Sequence, residues 1–150
     1  MIVINDFFVR YKEASNQMEL IAKANKGKIV SATRFMGQQA MQQEDIKDDI
    51  YVYLPLKYIF QAVKETYKAK NEKIHVFEEE PCLWKRILFN KTGNPLYISM
   101  YRRPTKNYAK HLKKYKNLKK VFVELPQHKK LLMDYGIEKE KIEVTPTPSK

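Results

Sequence analysis

Very little in this chain of 150 residues is suited to redox or metal chemistry. Its single cysteine, Cys82, excludes an internal disulfide and any site built from several thiolates, and with no partner pattern beside it the residue reads as a buried, inert thiol. Glycine is scarce too, four in all, and none stands in a Gly-x-Gly-x-x-Gly or phosphate-loop arrangement. Nucleotide binding by this chain alone therefore has no sequence support, and no cofactor is expected in it. The three histidines lack aspartate or glutamate at metal-ligand spacing, so no metal site is expected. No apolar run approaches the roughly 20 residues that span a bilayer. The first residues lack the basic head, long apolar stretch and small-residue cleavage site of a signal peptide. The expectation is a cytoplasmic protein, peripheral at the inner face of the membrane if it meets one. The most local absence is of acids: there is none from Tyr101 to Lys120, a segment that carries nine lysines and arginines in a chain of net charge +12. Charge concentrated in this way makes a local field suited to an anionic partner.

What is present is a globular composition. Apolar residues make up 43% of the chain and aromatics 12%, enough for one core and too much for a disordered segment. Apolar runs that read as strands, Ile2 to Ile4, Lys28 to Thr33, Ile50 to Leu54, Lys73 to Phe77, Leu96 to Met100, Lys120 to Glu124 and Lys141 to Thr145, alternate with helical spacings. The first helical spacing is Ala14, Met18, Ile21 and Ala22, stopped by Gly27. Pro55 opens a helix with Ile59, Phe60, Val63 and Tyr67 on one apolar face. Pro81 to Phe89 reads as a helix with Leu83, Trp84, Ile87 and Leu88 inward, broken at Thr92 to Pro95. Asn107 to Tyr115 reads as a basic helix, and Gln127 to Tyr135 as a helix stopped by Gly136. Arg34 to Asp49 is polar and glutamine-rich, a loop or short mobile helix.

Strands without clean polar alternation are those of a parallel sheet covered on both faces. The expected fold is α/β, a Rossmann-like open parallel sheet with helices on both faces, over residues 1–145, with 146–150 as the start of a linker. Ligands of such sheets bind beyond the carboxyl ends of the strands. Those ends present Asn5 and Asp6, Arg34, Glu78 to Glu80, Tyr101 to Arg103, and Glu124 to Gln127.

One stretch has a more particular likeness. Val121-Phe122-Val123-Glu124, then Gln127 to Leu132, then Tyr135-Gly136-Ile137, then Glu140-Lys141-Ile142-Glu143-Val144-Thr145-Pro146 resembles the end of the N-terminal domain in family 4-type glycosyltransferases of the GT-B fold. The strand at Leu96 to Met100 and the basic helix after it are similar to the preceding unit of that family. The chain departs from the family pattern after its first strand, where Asn5 to Lys12 contains no glycine, and after Met100, where Tyr101-Arg102-Arg103 replaces a histidine. The resemblance implies an acceptor-binding half of a transferase that moves a sugar from a nucleotide donor to a cell-surface glycan or lipid-linked acceptor. It also implies a C-terminal donor-binding domain or subunit as partner, which would bind the nucleotide sugar and without which this chain is inactive.

The candidate acceptor contacts are Asn5, Asp6, Phe7, Phe8, Glu78, Tyr101, Arg102 and Arg103. The two guanidiniums suit bidentate recognition of phosphate or carboxylate, or a structural pairing with Glu78 to Glu80 at the neighbouring strand end. Phe7 and Phe8, with Tyr11, line an acceptor cleft or pack in the core. A carboxylate among Glu78 to Glu80 could take a proton from an acceptor hydroxyl. The same three acids, just ahead of Pro81, would also complement the start of a helix. No catalytic residue is assigned. Lys106, Lys110, Lys113 and Lys114, at spacings of three and four with Tyr108 and Tyr115 nearby, make a cationic face. Three readings fit it: a solvated helix, contact with an anionic membrane surface, or contact with nucleic acid phosphates. The last would make the chain a small basic α/β nucleic-acid-binding protein. His75, between Ile74 and Val76, reads as a packed strand residue.

Overall fold

The computed structural model describes residues 2–5, 20, 21, 23, 24, 28–32, 50–53, 55–77, 81–100 and 102–145. In chain order the elements are β1 (Ile2–Asn5), β2 (Lys28–Ala32), β3 (Ile50–Tyr53), α1 (Pro55–Lys68), β4 (Ile74–Phe77), α2 (Leu83–Thr92), β5 (Leu96–Ser99), α3 (Lys106–Lys113), β6 (Leu118–Val123), α4 (Pro126–Asp134), a 3-10 turn (Lys139–Lys141) and β7 (Ile142–Val144). Leu20, Ile21, Lys23 and Ala24, between β1 and β2, are helical as well. The strands form one seven-stranded sheet in the order β3-β2-β1-β4-β5-β6-β7, parallel at every pairing. This is the α/β, Rossmann-like open sheet that the continuous apolar runs point to.

The register explains how the core is made. Ile4, Val76, Ile98, Val121 and Ile142 stand side by side across five strands. They therefore share one face of the sheet. That row joins a single apolar cluster with Tyr58 and Ala62 of α1, Leu88 and Phe89 of α2, Tyr108 and Leu112 of α3, and Leu132 of α4. All four helices thus cover the same face. The sequence order requires this, because β3 to β4, β4 to β5, β5 to β6 and β6 to β7 all move across the sheet in one direction, and crossovers of this kind keep one hand. The β1 to β2 and β2 to β3 connections run the other way. Every residue of the interior strand β4 is buried, on both faces. On the second face His75 stacks on Phe77 and Phe122, and Phe122 stacks on Tyr97.

Two helices turn differently from the reading of their apolar residues. In α2 the buried residues are Lys85, Leu88, Phe89 and Thr92, while Leu83 and Ile87 are exposed and Trp84 lies half-buried, edge-on to Tyr58. Leu88 and Phe89 set this phase: the arc that holds both takes in Lys85 and Thr92 a turn away on either side and sends Leu83 and Ile87 outward. In α1 the inward arc is Tyr58, Ala62, Thr66 and, just past its end, Ala69. Small residues there let the helix approach β1, β2 and β3 closely, and the Thr66 hydroxyl is satisfied by donating to the Ala62 carbonyl at 2.6 Å. Ile59, Phe60 and Tyr67 consequently lie on its exposed flank, with Val63 half-buried.

The amino ends of the strands are tied down by side-chain amides. Asn94, fully buried, donates to the carbonyls of Ala69 and Glu72 at 2.7 and 3.0 Å, which fixes the end of α1. It follows Gly93, whose φ of 71° makes the left-handed cap that ends α2.

Candidate functional site

The order of strands reverses between β1 and β4, so the crevice expected for a ligand opens beyond the paired residues Asn5 and Phe77. Asn5 closes β1 there. Asp6, Phe7, Phe8, Glu78 and Tyr101 lie outside the described residues, as do Tyr11, Arg34, Glu79 and Glu80. Of the candidate acceptor contacts, the structure therefore places Asn5 on β1 and Arg102 and Arg103 beyond the end of β5. Those two groups stand on strands separated by β4.

The loop that carries the arginines is well anchored at its ends. The Met100 amide donates to the Phe122 carbonyl at 3.0 Å, which carries the parallel ladder past the end of β5. Pro104 is buried and holds the chain extended. Thr105 then caps α3, its hydroxyl accepting from the Tyr108 amide at 3.1 Å. Arg102 and Arg103 are exposed between these anchors.

Arg103 is one wall of an open cavity of about 530 Å³ whose other walls are Leu125, Gln127, His128, Lys130, Leu131 and Asp134. That volume is ordinary for a small-molecule site. The opposite wall is α4, which starts just past the carboxyl end of β6. Its N-cap, Leu125, offers no side-chain hydrogen bond and its first residue, Pro126, has no N–H, so the positive end of the helix dipole is met by no side-chain acceptor at its cap. Among the walls Arg103 and Lys130 stand against the single carboxylate of Asp134, so the local field still favours an anion, while Leu125 and Leu131 supply apolar wall. His128 Nδ1 is out of solvent and has no hydrogen-bond partner among the described residues. The tautomer with its proton on Nε2 avoids burying an unpaired donor there. Gln127 was within reach of sequence reasoning, as the last residue of the Glu124 to Gln127 strand end. His128, Lys130, Leu131 and Asp134 were not, because they enter only through the flank that α4 turns toward the loop after β5.

On α3 and at its C-cap, Lys106, Lys110, Lys113 and Lys114 are all exposed. Tyr108 and Tyr115 do not join them: both are buried in the core cluster. Their burial follows from the same helical phase that turns the lysines out. His111 is buried between them, stacked on Tyr108 and edge-on to Tyr115. Arg86 Nη1 donates to His111 Nδ1 at 3.0 Å, which assigns the remaining ring proton to Nε2, 3.2 Å from the Tyr115 hydroxyl. This chain of contacts joins α2 to α3 and is structural.

His75 has the packed role its place between Ile74 and Val76 implies. Its Nε2 lies 2.7 Å from the Ser99 hydroxyl, and burial pulls its pKa down to about 4, so the ring is neutral. Lys85 is the feature the residue pattern concealed. Among the described residues it is the one lysine or arginine with no exposure, at the first turn of α2 and 5.8 Å from the Trp84 ring centre. A cation so placed needs compensating contacts. Cys82 is half-buried, short of the full burial expected, and serves as the N-cap of α2 without a side-chain capping hydrogen bond. Glu78 to Glu80 thus stand upstream of a helix that starts at Leu83, two residues later than the expected start at Pro81. No helix among the described residues is long and apolar enough to cross a membrane. Compared with known proteins, the chain matches no family model, no curated protein and no solved structure.

Proposed function

We propose that the chain is the acceptor-binding, Rossmann-like domain of a sugar-nucleotide-dependent glycosyltransferase of the GT-B type, acting on a cell-surface glycan or lipid-linked acceptor. The observation that carries this reading is the cavity beyond the carboxyl ends of β5 and β6, where Arg103 faces the start of α4. It lies within the β5 to β7 segment whose residues resemble that family. Support also comes from the chemistry of the walls: a guanidinium and a helix start for the phosphate of a lipid-linked acceptor, leucines for its apolar or sugar body. Donor binding belongs, in this reading, to a partner domain or subunit, and the chain alone carries no transferase activity.

The test is titration of the chain with a water-soluble alkyl diphosphate sugar and, separately, with a uridine or guanosine diphosphate sugar, followed by amide chemical shifts. The acceptor analogue is expected to move Arg103, Gln127 and His128, with loss of binding in Arg103→Ala, and the nucleotide sugars to move nothing. Nucleotide-sugar binding without acceptor binding would overturn the assignment. A nucleic-acid gel shift that survives moderate salt would favour the other reading of the basic helix. The burial of Tyr108 and Tyr115 leaves that helix without the aromatic platforms on which bases stack.

A further inference from the structure

The outer surface of α1 and α2 carries more apolar area than a solvated helix layer has use for. Phe60 is 77% exposed and Tyr67 50%, two turns apart on α1; Leu83 is 60% and Ile87 57%, one turn apart on the neighbouring α2. The two helices are in contact with each other. Lys64 and Lys68 on α1 and Lys91 on α2 are exposed among these side chains, and the one acid of the two helices, Glu65, is half-buried. Because all four helices cover the same sheet face, the lysines of α3 continue this basic surface on the same side of the molecule.

The occupant follows from charge and shape. A second copy docked through this surface would set lysine against lysine, which opposes association. Nucleic acid matches the charge but has nothing to gain from Leu83 and Ile87, which offer no ring to stack on. A partner helix docks through a stripe of apolar anchors, whereas here Lys64, Lys68 and Lys91 stand exposed among the apolar side chains. A lipid leaflet with anionic headgroups meets both features at once: it takes apolar side chains at the boundary between headgroups and acyl chains and attracts lysines around them. We infer that α1 and α2 form a membrane-docking face, with Phe60, Leu83 and Ile87 entering the headgroup boundary of an anionic leaflet and Lys64, Lys68 and Lys91 against its phosphates. This deepens the lipid-linked branch of the proposed function and rests on it, since it puts the domain where such an acceptor lies.

The experiment is co-sedimentation of the chain with vesicles of phosphatidylcholine alone and of phosphatidylcholine with phosphatidylglycerol, for wild type and for the triple variant Phe60→Ser, Leu83→Ser, Ile87→Ser. The three side chains are exposed, so the variant folds, and thermal unfolding checks that it does. Wild type is expected to bind the anionic vesicles and the variant at least about tenfold more weakly, in low and high salt alike, because the lost part is apolar. Equal binding by wild type and variant would overturn insertion while leaving the attraction of the α3 lysines in place. No vesicle binding by wild type, with acceptor-analogue binding at Arg103 retained, would overturn the docking face alone. A dimer in sedimentation velocity that the variant abolishes would assign the surface to a second copy and overturn the inference.

Discussion

The first two helices and the third cover one face of the same sheet in opposite ways. α3 buries what is large and apolar, Tyr108 and Leu112, and with its C-cap turns four lysines to solvent. α1 and α2 bury Tyr58, Leu88 and Phe89, but fill the rest of their inward arcs with alanine, threonine and a lysine, and turn phenylalanine, tyrosine, leucine and isoleucine out. The difference shows that exposed apolar residues here are surplus to packing. α1 meets the sheet through Tyr58, Ala62, Thr66 and Ala69, and nothing in that contact calls for Phe60 or Tyr67 to face away from it. A contiguous exposed apolar patch is the kind of surface that marks contact with a partner, and that is the role proposed for Phe60, Leu83 and Ile87.

The contrast is broken most directly by truncating one aromatic from each region. Tyr108 is 1% exposed and stacks on His111, so Tyr108→Ala should remove about 3–5 kcal/mol of stability, the range for a large aromatic lost from a core. Phe60→Ala, in a helix of the same layer, should change stability by no more than about 0.5 kcal/mol. Urea unfolding of both variants gives the two numbers. A loss of several kcal/mol at Phe60 would mean that α1 is packed on that flank and that the two regions do not differ as described.

Acid provides a second probe, of whether the two regions are one folding unit. His75 sits under both, in the interior strand, and its pKa falls from 6.5 to about 4 because burial disfavours the imidazolium. Between those values the unfolded chain binds the proton and the folded one does not, so stability rises with pH through the window. It is fully present above pH 6.5 and lost as pH falls toward 4, by about 3 kcal/mol in all. Hydrogen exchange at pH 7 and pH 4.5 should show protection lowered together in α1 and α3. Loss confined to one of them would show that the sheet does not unite them. His75→Phe should flatten the pH dependence of unfolding.

The same contrast marks where the sequence is readable. The strands are legible because a parallel sheet buries both faces, so Ile74 to Phe77 or Leu96 to Ser99 appear as unbroken runs with few alternatives. α3 is legible because its polar and apolar residues coincide with out and in. α2 is not, since Leu83 with Ile87 and Trp84 with Leu88 make two apolar stripes, and which one faces the sheet is decided by Phe89, through contacts far away in sequence. The site follows the same rule. Arg102 and Arg103 stand out as a charged pair after a strand, a local signal. The wall opposite them, His128, Leu131 and Asp134, depends on how α4 lies against a loop some twenty-five residues earlier in the chain, which no local pattern encodes.

The smallest effects should separate the two seams that α2 makes with its neighbours. Asn94, past its end, holds two carbonyls at the close of α1 from a fully buried position, and Asn94→Ala would leave both without that donor, the Ala69 carbonyl in a buried bond and the Glu72 carbonyl in a part-buried one. That should cost about 1–3 kcal/mol. Asn90, on α2, makes an equal number of bonds to the end of α3, donating to the Lys114 carbonyl at 2.9 Å and accepting from the Lys116 amide at 2.8 Å. These bonds are exposed, so in Asn90→Ala water replaces them and the loss should stay near or below about 1 kcal/mol. If thermal unfolding reversed that order, the junction of α2 with α3 would be the stiffer one. The apolar surface of α1 and α2 would then belong to the looser part of the helix layer, and its exposure would need an explanation in local mobility before one in docking.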